Sequence, residues 1–439
     1  MKALMKNLLY IHTHDSGRYI SPYGYAVPTP NLQRLAEQSL LFRHAFCAAP
    51  TCSPSRAAML TGTSAHSSGM LGLAHRGFKM KEARRHLSFF LKENGYNTAL
   101  AGIQHEAGRR EDLGYEKFLG KKKLSADYDE QNAAAAAEFI CRYKAEKPFF
   151  LSVGIHNTHR EYPTATGEIN PDYVMPPYPI PDNAENRLDT ARYMRSAQIA
   201  DNCVGTVLEA LDKAGLTENT VVLFTTDHGI AMPFMKCNLS DAGIGVAMMI
   251  RALGYPGMEK ATDSLVSHTD VFPTLCDLLC IPKPEWLQGV SMLPVLNDPK
   301  AKIREEIFSE VTYHAAYEPM RCVRTENYKL IKYYGDYDLS VPCNIDDSIP
   351  KRQMLDAGLA ERRHPKEMLF DLRFDPAERV NLIGEKEYAE IYADLSERLI
   401  NWQKQTKDPL LEYPCRIPAP KGAIVNTREC LQPYFPEYE

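Results

Sequence analysis

Polar side chains that can bind a metal or move a proton follow four short apolar runs of the chain. The four are residues 7–11 before His14 and Asp15, residues 97–101 before His105, residues 149–153 before His156, and residues 220–224 before Asp227 and His228. Imidazoles exchange protons near neutral pH, and carboxylates bind hard divalent cations. If the fold brings the run ends together, these side chains form one site for metal-assisted or acid–base chemistry.

The surrounding pattern predicts the elements that would do this. Continuous apolar runs of this length are typical of strands buried on both faces of an α/β sheet. Helical spacing follows Pro30 and recurs over residues 189–214, which stop at Gly215. Alternating strands and helices indicate a mostly parallel sheet flanked by helices, and ligands bind at the carboxyl ends of such strands. A histidine after one strand is usually structural, but the recurrence at four strand ends favours a functional site.

The pattern changes beyond residue 318. Three elements are expected there: short antiparallel strands at residues 321–333 and 367–372 and an amphipathic helix at residues 388–405. Residues 336–363 are polar and irregular, which predicts an excursion near the site or the surface. We therefore expect a catalytic domain at residues 1–318 and a smaller α+β subdomain on an antiparallel sheet at residues 319–439.

Composition limits the class of protein. The 439 residues are 44% hydrophobic and 24% charged, with a formal net charge of −5, so neither nucleic acid nor a membrane is an expected partner. Eleven cysteines without a CxxC motif favour free thiols in a reducing compartment. The first residues do not resemble a signal peptide, which predicts a cytoplasmic protein, or a periplasmic or secreted one if a signal was removed. The oligomeric state stays open, with a dimer among the possibilities.

The most specific motif is Cys52-Ser53-Pro54-Ser55-Arg56, which continues to Leu60-Thr61-Gly62. It resembles the C-x-P-S-R and L-T-G signature of the formylglycine-dependent sulfatases. Further stretches resemble that family: Pro28 to Leu32, Thr226 to Gly229, Lys236 to Gly243, and Asp270 to Leu275. Looser stretches favour its heparan N-sulfatase (sulfamidase) branch: Ser39 to Arg43, His66 to Met70, Tyr317 to Arg321, and the tail Trp402-Gln403 with Asp408-Pro409. The resemblance implies an alkaline-phosphatase-like core.

The resemblance also implies a nucleophile. A formylglycine-generating or sulfatase-maturating enzyme would convert Cys52 to formylglycine, whose hydrate offers one hydroxyl to attack sulfur and a second that lets sulfate leave. Arg56 would hold that hydrate, since its fork of donors suits oxyanions. Otherwise Cys52 is a buried free thiol before a helix, and Arg56 a surface arginine.

One divalent metal ion is implied, bound by Asp15, Asp227, His228 and the oxygen of modified Cys52. Oxygen ligands predict calcium or magnesium. The family usually has two acids after the first strand, whereas this chain has His14 and Asp15. Either His14 turns away, or it is a ligand and the ion is softer, such as manganese or zinc.

The remaining roles follow from aligned motifs. His105 would lie near the nucleophile, and Lys236 would bind the sulfate oxygens, because the family's other lysine is replaced by Ile103. His156 would protonate the leaving group, for which a pKa near neutrality is expected. Weaker candidates for substrate contacts are His66, His159, His314 and Arg321.

These residues predict an enzyme that hydrolyses a sulfate ester or sulfamate on a sugar, of glycosaminoglycan or another sulfated glycan. Residues 336–363 and 313–321 could wall off the site, which predicts action on a terminal sugar. One alternative is a phosphonate monoester or phosphodiester hydrolase of the same superfamily. The other is a catalytically inactive sugar-binding homologue, for which Ile103 and His14 are the only support.

Overall fold

The computed structural model describes residues 6–165, 167–414 and 416–432. Its first strand shows why the apolar runs form a sheet. Leu8 and Tyr10 pack into a core on one face, and Leu9 and Ile11 pack into a second core on the other. Because both faces are buried, the run has no polar alternation.

Fourteen strands lie within the described residues. They are β1 (Asn7–Thr13), β2 (Leu40–Phe42), β3 (Ala45–Phe46), β4 (Asn97–Gly102), β5 (Lys117–Leu119), β6 (Phe149–Gly154), β7 (Thr220–Thr226), β8 (Met248–Arg251), β9 (Lys260–Thr262), β10 (Val266–Ser267), β11 (Glu306–Tyr313), β12 (Tyr317–Thr325), β13 (Tyr328–Tyr333) and β14 (Glu367–Asp371). The four predicted apolar runs are β1, β4, β6 and β7, which are neighbours in one sheet.

Eleven α-helices lie in the same described part of the chain. They are α1 (Pro30–Glu37), α2 (Cys52–Thr61), α3 (Ala65–Ser68), α4 (Leu87–Glu93), α5 (Tyr128–Cys141), α6 (Ala184–Lys213), α7 (Asp241–Ile244), α8 (Val271–Leu278), α9 (Leu293–Asn297), α10 (Ile349–Asp356) and α11 (Ala389–Thr406). None of these helices is long and apolar enough to cross a membrane.

The large sheet has eight strands in the order β5-β4-β6-β1-β7-β8-β2-β9. Its strands pair in parallel except β8, which is antiparallel to both neighbours. Helices α1, α5 and α6 pack on one face, and α2, α4 and α8 on the other. The predicted α/β core, a mixed and mostly parallel sheet between helices, is confirmed.

A separate antiparallel sheet, β11-β12-β13-β14, forms the smaller unit, and α11 packs on it through Leu395 and Leu399. The sheet begins at Glu306, and the predicted domain boundary after residue 318 falls inside β12. The segment at residues 336–363 is not wholly irregular, since Ser348 caps α10 within it.

Candidate active site

The ends of β1 and β7 bring two acidic segments together. The two strands are parallel, and their register pairs Thr13 with Thr226, so the residues that follow meet. The backbone N–H of Asp15 donates to Asp227 Oδ1 at 2.9 Å. His228 Nε2 lies 3.3 Å from Asp15 Oδ1 and 3.6 Å from Asp227 Oδ2. The loops after these two strands therefore build one compact cluster of carboxylates and imidazole.

Cys52 is the first residue of α2, whose amino terminus points into this cluster. Its Sγ lies 3.4 Å from His228 Nε2, and its side chain is buried. One turn later, Arg56 donates to Asp227 Oδ2 at 2.9 Å and contacts His12 Nδ1. Cys52 and Arg56 share a helix face because residues four apart lie one above the other. The spacing of the motif therefore places a nucleophile position and a cation on the same carboxylate.

The cluster has the donors that a divalent cation requires. His14, Asp15, Cys52 and Asp227 each offer a ligand atom, and these atoms lie within 4.8 Å of one another. Within the described residues, both ring nitrogens of His14 and Asp15 Oδ1 are buried without a hydrogen-bond partner. Buried polar groups are rarely left unpaired, so these atoms fit a cation.

The protonation states agree with that fit. Burial and then the charge of Arg56 lower the pKa of His14 well below its usual value, so its ring is neutral and has a lone pair to offer. His228 Nδ1 lies 3.0 Å from the carbonyl oxygen of Gly229, to which it can donate, leaving Nε2 free for a metal. Burial alone would raise the pKa of Asp227, but the charges of His228, Arg56 and Lys236 lower it to about 2. Asp227 is therefore an anion at neutral pH.

A small cavity of about 120 Å³ lies in front of the cluster. Its walls are Cys52, Leu73, His75, His105, His159, Lys236, His314 and Asp346. Lys236 Nζ lies 3.0 Å from both Asp15 Oδ2 and Asp346 Oδ2. Burial opposes its charge, but the two carboxylates raise the pKa of Lys236 well above its usual value. The cavity is thus lined by an ammonium, which two carboxylates hold in place, and by several imidazoles.

Three more histidines surround His14. Its ring centroid lies 4.7 Å from that of His105, 5.5 Å from His159 and 6.0 Å from His156. The backbone after β6 is held by Asp129, whose Oδ1 accepts from the N–H of His156 at 2.7 Å. The ends of β4 and β6 therefore reach the same site, as the sequence pattern predicts.

The shifted pKa values of two side chains affect the chemistry of the site. Burial and then the neighbouring His159 lower the pKa of His156 to about 3, because a charged ring is poorly solvated in the buried site, and this value differs from the expected one near neutrality. Burial raises the pKa of the Cys52 thiol well above its usual value. Because only a thiolate is a strong nucleophile, an unmodified Cys52 is unreactive at neutral pH.

Two expected substrate contacts lie in another cluster. Arg321 Nε donates to Asp408 Oδ2 at 2.7 Å, and its Nη2 lies 3.4 Å from Glu310 Oε2. His66 Nδ1 lies 2.9 Å from Glu310 Oε1, and its ring packs edge-on against Trp402. Neither residue lines the small cavity. Both side chains are buried and form ion pairs with acidic residues. They lie where α3, the antiparallel sheet and the C-terminal segment contact one another.

His159 and His314 do line the cavity, with His314 Nδ1 buried and lacking a hydrogen-bond partner in the described structure. Two wall residues escaped the sequence argument, His75 and Asp346. Neither belongs to a motif. The only available signal was the polar segment at residues 336–363, which contains Asp346 and was expected near the site or the surface.

Together, the fold and the site indicate the class of hydrolases to which this chain belongs. Residues 6–281 match the family profile described as sulfatase, and residues 229–344 match the profile described as N-sulphoglucosamine sulphohydrolase, C-terminal. The chain belongs to the sulfatase family, whose members are sulfuric ester hydrolases, sulfamate hydrolases among them. Members of this family generally use formylglycine and a metal ion, and the cluster of His14, Asp15, Cys52 and Asp227 could hold such an ion.

Individual relatives narrow the comparison. Human N-sulphoglucosamine sulphohydrolase is 28% identical, over 93% of this chain and 92% of its own. A solved complex of a protein with its substrate D-glucosamine-2-N,6-O-disulfate superposes with a TM-score of 0.73 at 18% identity, covering 92% of this chain and 98% of the other. The phosphonate monoester hydrolase of Agrobacterium radiobacter shares the fold, with a TM-score of 0.71 at 18% identity over 93% and 97% of the two chains.

Proposed function

We propose that this protein hydrolyses a sulfate ester or sulfamate on the terminal sugar of a sulfated glycan. The observation that carries the proposal is the small cavity of about 120 Å³ that Cys52 and Lys236 line together, beside the cluster that can hold a metal ion. The similarity to human N-sulphoglucosamine sulphohydrolase supports the sugar substrate. A formylglycine-generating or sulfatase-maturating enzyme is the second partner that the proposal requires.

Each side chain then has a task. Formylglycine, formed from Cys52, supplies the hydrated aldehyde whose hydroxyl attacks sulfur and whose second hydroxyl allows sulfate release. Cys52 Sγ marks the position of those oxygens. A divalent ion held by His14, Asp15 and Asp227 would polarise them. Lys236 neutralises the sulfate oxygens from the opposite wall, and Arg56 keeps Asp227 oriented by a charge-assisted hydrogen bond at 2.9 Å.

His156 delivers a proton to the departing oxygen or nitrogen. Burial and then His159 lower its pKa to about 3. An incoming sulfate places negative charge beside the ring, which favours the protonated form. Substrate binding thus charges the acid only when there is a leaving group to protonate.

We propose further that the ion is a transition metal of the manganese or zinc class, not calcium. His14 and His228 direct ring nitrogens at the same carboxylates, within 3.5 Å and 3.6 Å of Asp227 Oδ2. Calcium prefers six to eight oxygen ligands, whereas mixed imidazole and carboxylate sets suit softer ions. The inward position of His14 favours the softer ion over the calcium that the sequence suggests first.

Metal content tests this choice without an activity assay. The protein is dialysed against equimolar calcium, manganese and zinc, and bound metal is measured by elemental mass spectrometry. We expect about one manganese or zinc ion per chain and no calcium. His14→Asp should raise the calcium content, and Asp227→Asn should lower the content of every ion. Calcium retained by the wild-type protein, or no change in His14→Asp, would contradict the proposal.

Rates on four substrates test the reaction. Protein with converted Cys52 is assayed on glucosamine N-sulfate, an aryl sulfate, an aryl phosphonate and a polymer sulfated only at internal positions. We expect the sulfated monosaccharide to react fastest. Faster phosphonate hydrolysis would favour the phosphonate alternative, and equally fast release from the polymer would exclude a closed terminal pocket.

A further inference from the structure

A second, larger cavity adjoins the small one. Its volume is about 790 Å³, in the range of pockets that hold whole ligands, and it shares His75 and His105 with the small cavity. His156 lies in its wall. If His156 faces the leaving atom, the sugar that departs occupies this larger cavity, which His156 lines and which adjoins the small one at His75 and His105.

The outer wall of this cavity is basic. We call Arg109, Arg110, Lys122 and Lys123 the basic wall. Among the described residues, the ion pairs of these four cations involve two acids: Glu111, in the same wall, and Asp112, which lies 2.8 Å from Arg109. The chain as a whole carries a net charge of −5, so the wall runs against the overall balance. A basic wall inside an acidic protein raises the local concentration of anions.

The existing ion pairs leave the two lysines of the basic wall available to another anion. The contacts of Arg110 and Lys122 with Glu111 are 3.3 and 3.7 Å long, and Lys122 is mostly exposed. Exposed pairs of this kind contribute little to stability and exchange readily for other anions. Among the described residues, Lys123 has no acidic partner within 4.0 Å.

We propose that the basic wall binds a second anionic group of the substrate, a sulfate or a carboxylate carried on the same sugar or on its neighbour. The proposal rests on the proposed function, which places the first sulfate in the small cavity. The preferred substrate is therefore at least doubly charged. The related solved complex holds a sugar of that kind, D-glucosamine-2-N,6-O-disulfate.

Equilibrium binding tests the proposal independently of turnover. Protein made without a maturation enzyme retains the Cys52 thiol and can be titrated by calorimetry with glucosamine-2-N,6-O-disulfate and with glucosamine N-sulfate. The test variant is Lys122→Ala/Lys123→Ala, which removes two exposed side chains. The matched control is Lys300→Ala/Lys302→Ala, which removes two exposed lysines from the wall of a different cavity.

We expect the test variant to weaken binding of the disulfate by roughly tenfold, the loss of one or two charge-assisted contacts, and that of the N-sulfate less than twofold. The control should bind both sugars like the wild type. Equal weakening for both sugars, no weakening, or no preference of the wild type for the disulfate would overturn the proposal. Absence of turnover by the converted protein would instead count against the proposed function.

Discussion

Two of the buried charged clusters in the described part of the chain differ in how their polar atoms are satisfied. The Arg321 network joins Arg321 to Glu310 and Asp408, and each acid has a further partner in His66 or Gln403. The cluster around Asp15 and His14 leaves ring nitrogens and a carboxylate oxygen unpaired. Both are buried and charged, so burial does not distinguish them. Unmet hydrogen bonds do, because a structural cluster gains nothing from leaving them unmet.

The largest effect is expected from a substitution in the cluster around Cys52. Cys52→Ala should reduce turnover by more than about a hundredfold, since the nucleophile that splits the reaction into two steps is lost. The thermal midpoint should stay close to that of the wild type, because a small buried side chain is replaced by a smaller one. Turnover and melting are measured on the same preparation. Retention of more than a few per cent of activity would remove Cys52 from the mechanism.

The next largest effect is expected from a substitution in the Arg321 network. Arg321→Ala leaves Glu310 and Asp408 buried without their cation, which should cost about 3–5 kcal/mol of unfolding free energy. The matched change His14→Ala removes a side chain whose ring nitrogens lack hydrogen-bond partners. In metal-free protein it should therefore reduce the unfolding free energy far less. Denaturant unfolding of both variants measures the difference. A larger cost for His14→Ala would reverse the assignment of the two clusters.

The smallest effect is a pH dependence of the Arg321 network. Burial alone would raise the pKa of Asp408, but Arg321 holds it well below its usual value. A carboxyl with a lowered folded-state pKa stabilises the protein above its unfolded pKa of about 4, and that stability is lost as the pH falls further. The thermal midpoint of Asp408→Asn should therefore lie below that of the wild type at pH 7, with a gap that narrows below pH 4. A gap independent of pH would contradict this.

Sequence reasoning predicted the parts of this molecule that local pattern encodes. The strands β1, β4, β6 and β7 are buried on both faces, so their apolar runs are continuous and easily recognised. The antiparallel β8 was not predicted, because its direction depends on the chain path and not on its composition.

The site shows the same division. Cys52 and Arg56 share one helix turn, so their spacing carries the information. Asp346 reaches the cavity from a long loop and leaves no such spacing. Arg321 was expected at the substrate because the sequence does not show whether the charge of an arginine near a motif is already paired. In the structure this charge is paired with Asp408, which lies far along the chain.

The central claim is that the cluster around Cys52, in which buried polar atoms lack hydrogen-bond partners, is a formylglycine-dependent sulfatase site. It is tested most directly by preparing the protein with graded conversion of Cys52, co-expressed with different amounts of a formylglycine-generating enzyme. Mass spectrometry of the Cys52 peptide gives the converted fraction, and sulfate release from glucosamine-2-N,6-O-disulfate gives the rate. The account predicts a rate proportional to the converted fraction and zero at no conversion. A rate independent of that fraction, or no rate at full conversion, would contradict it.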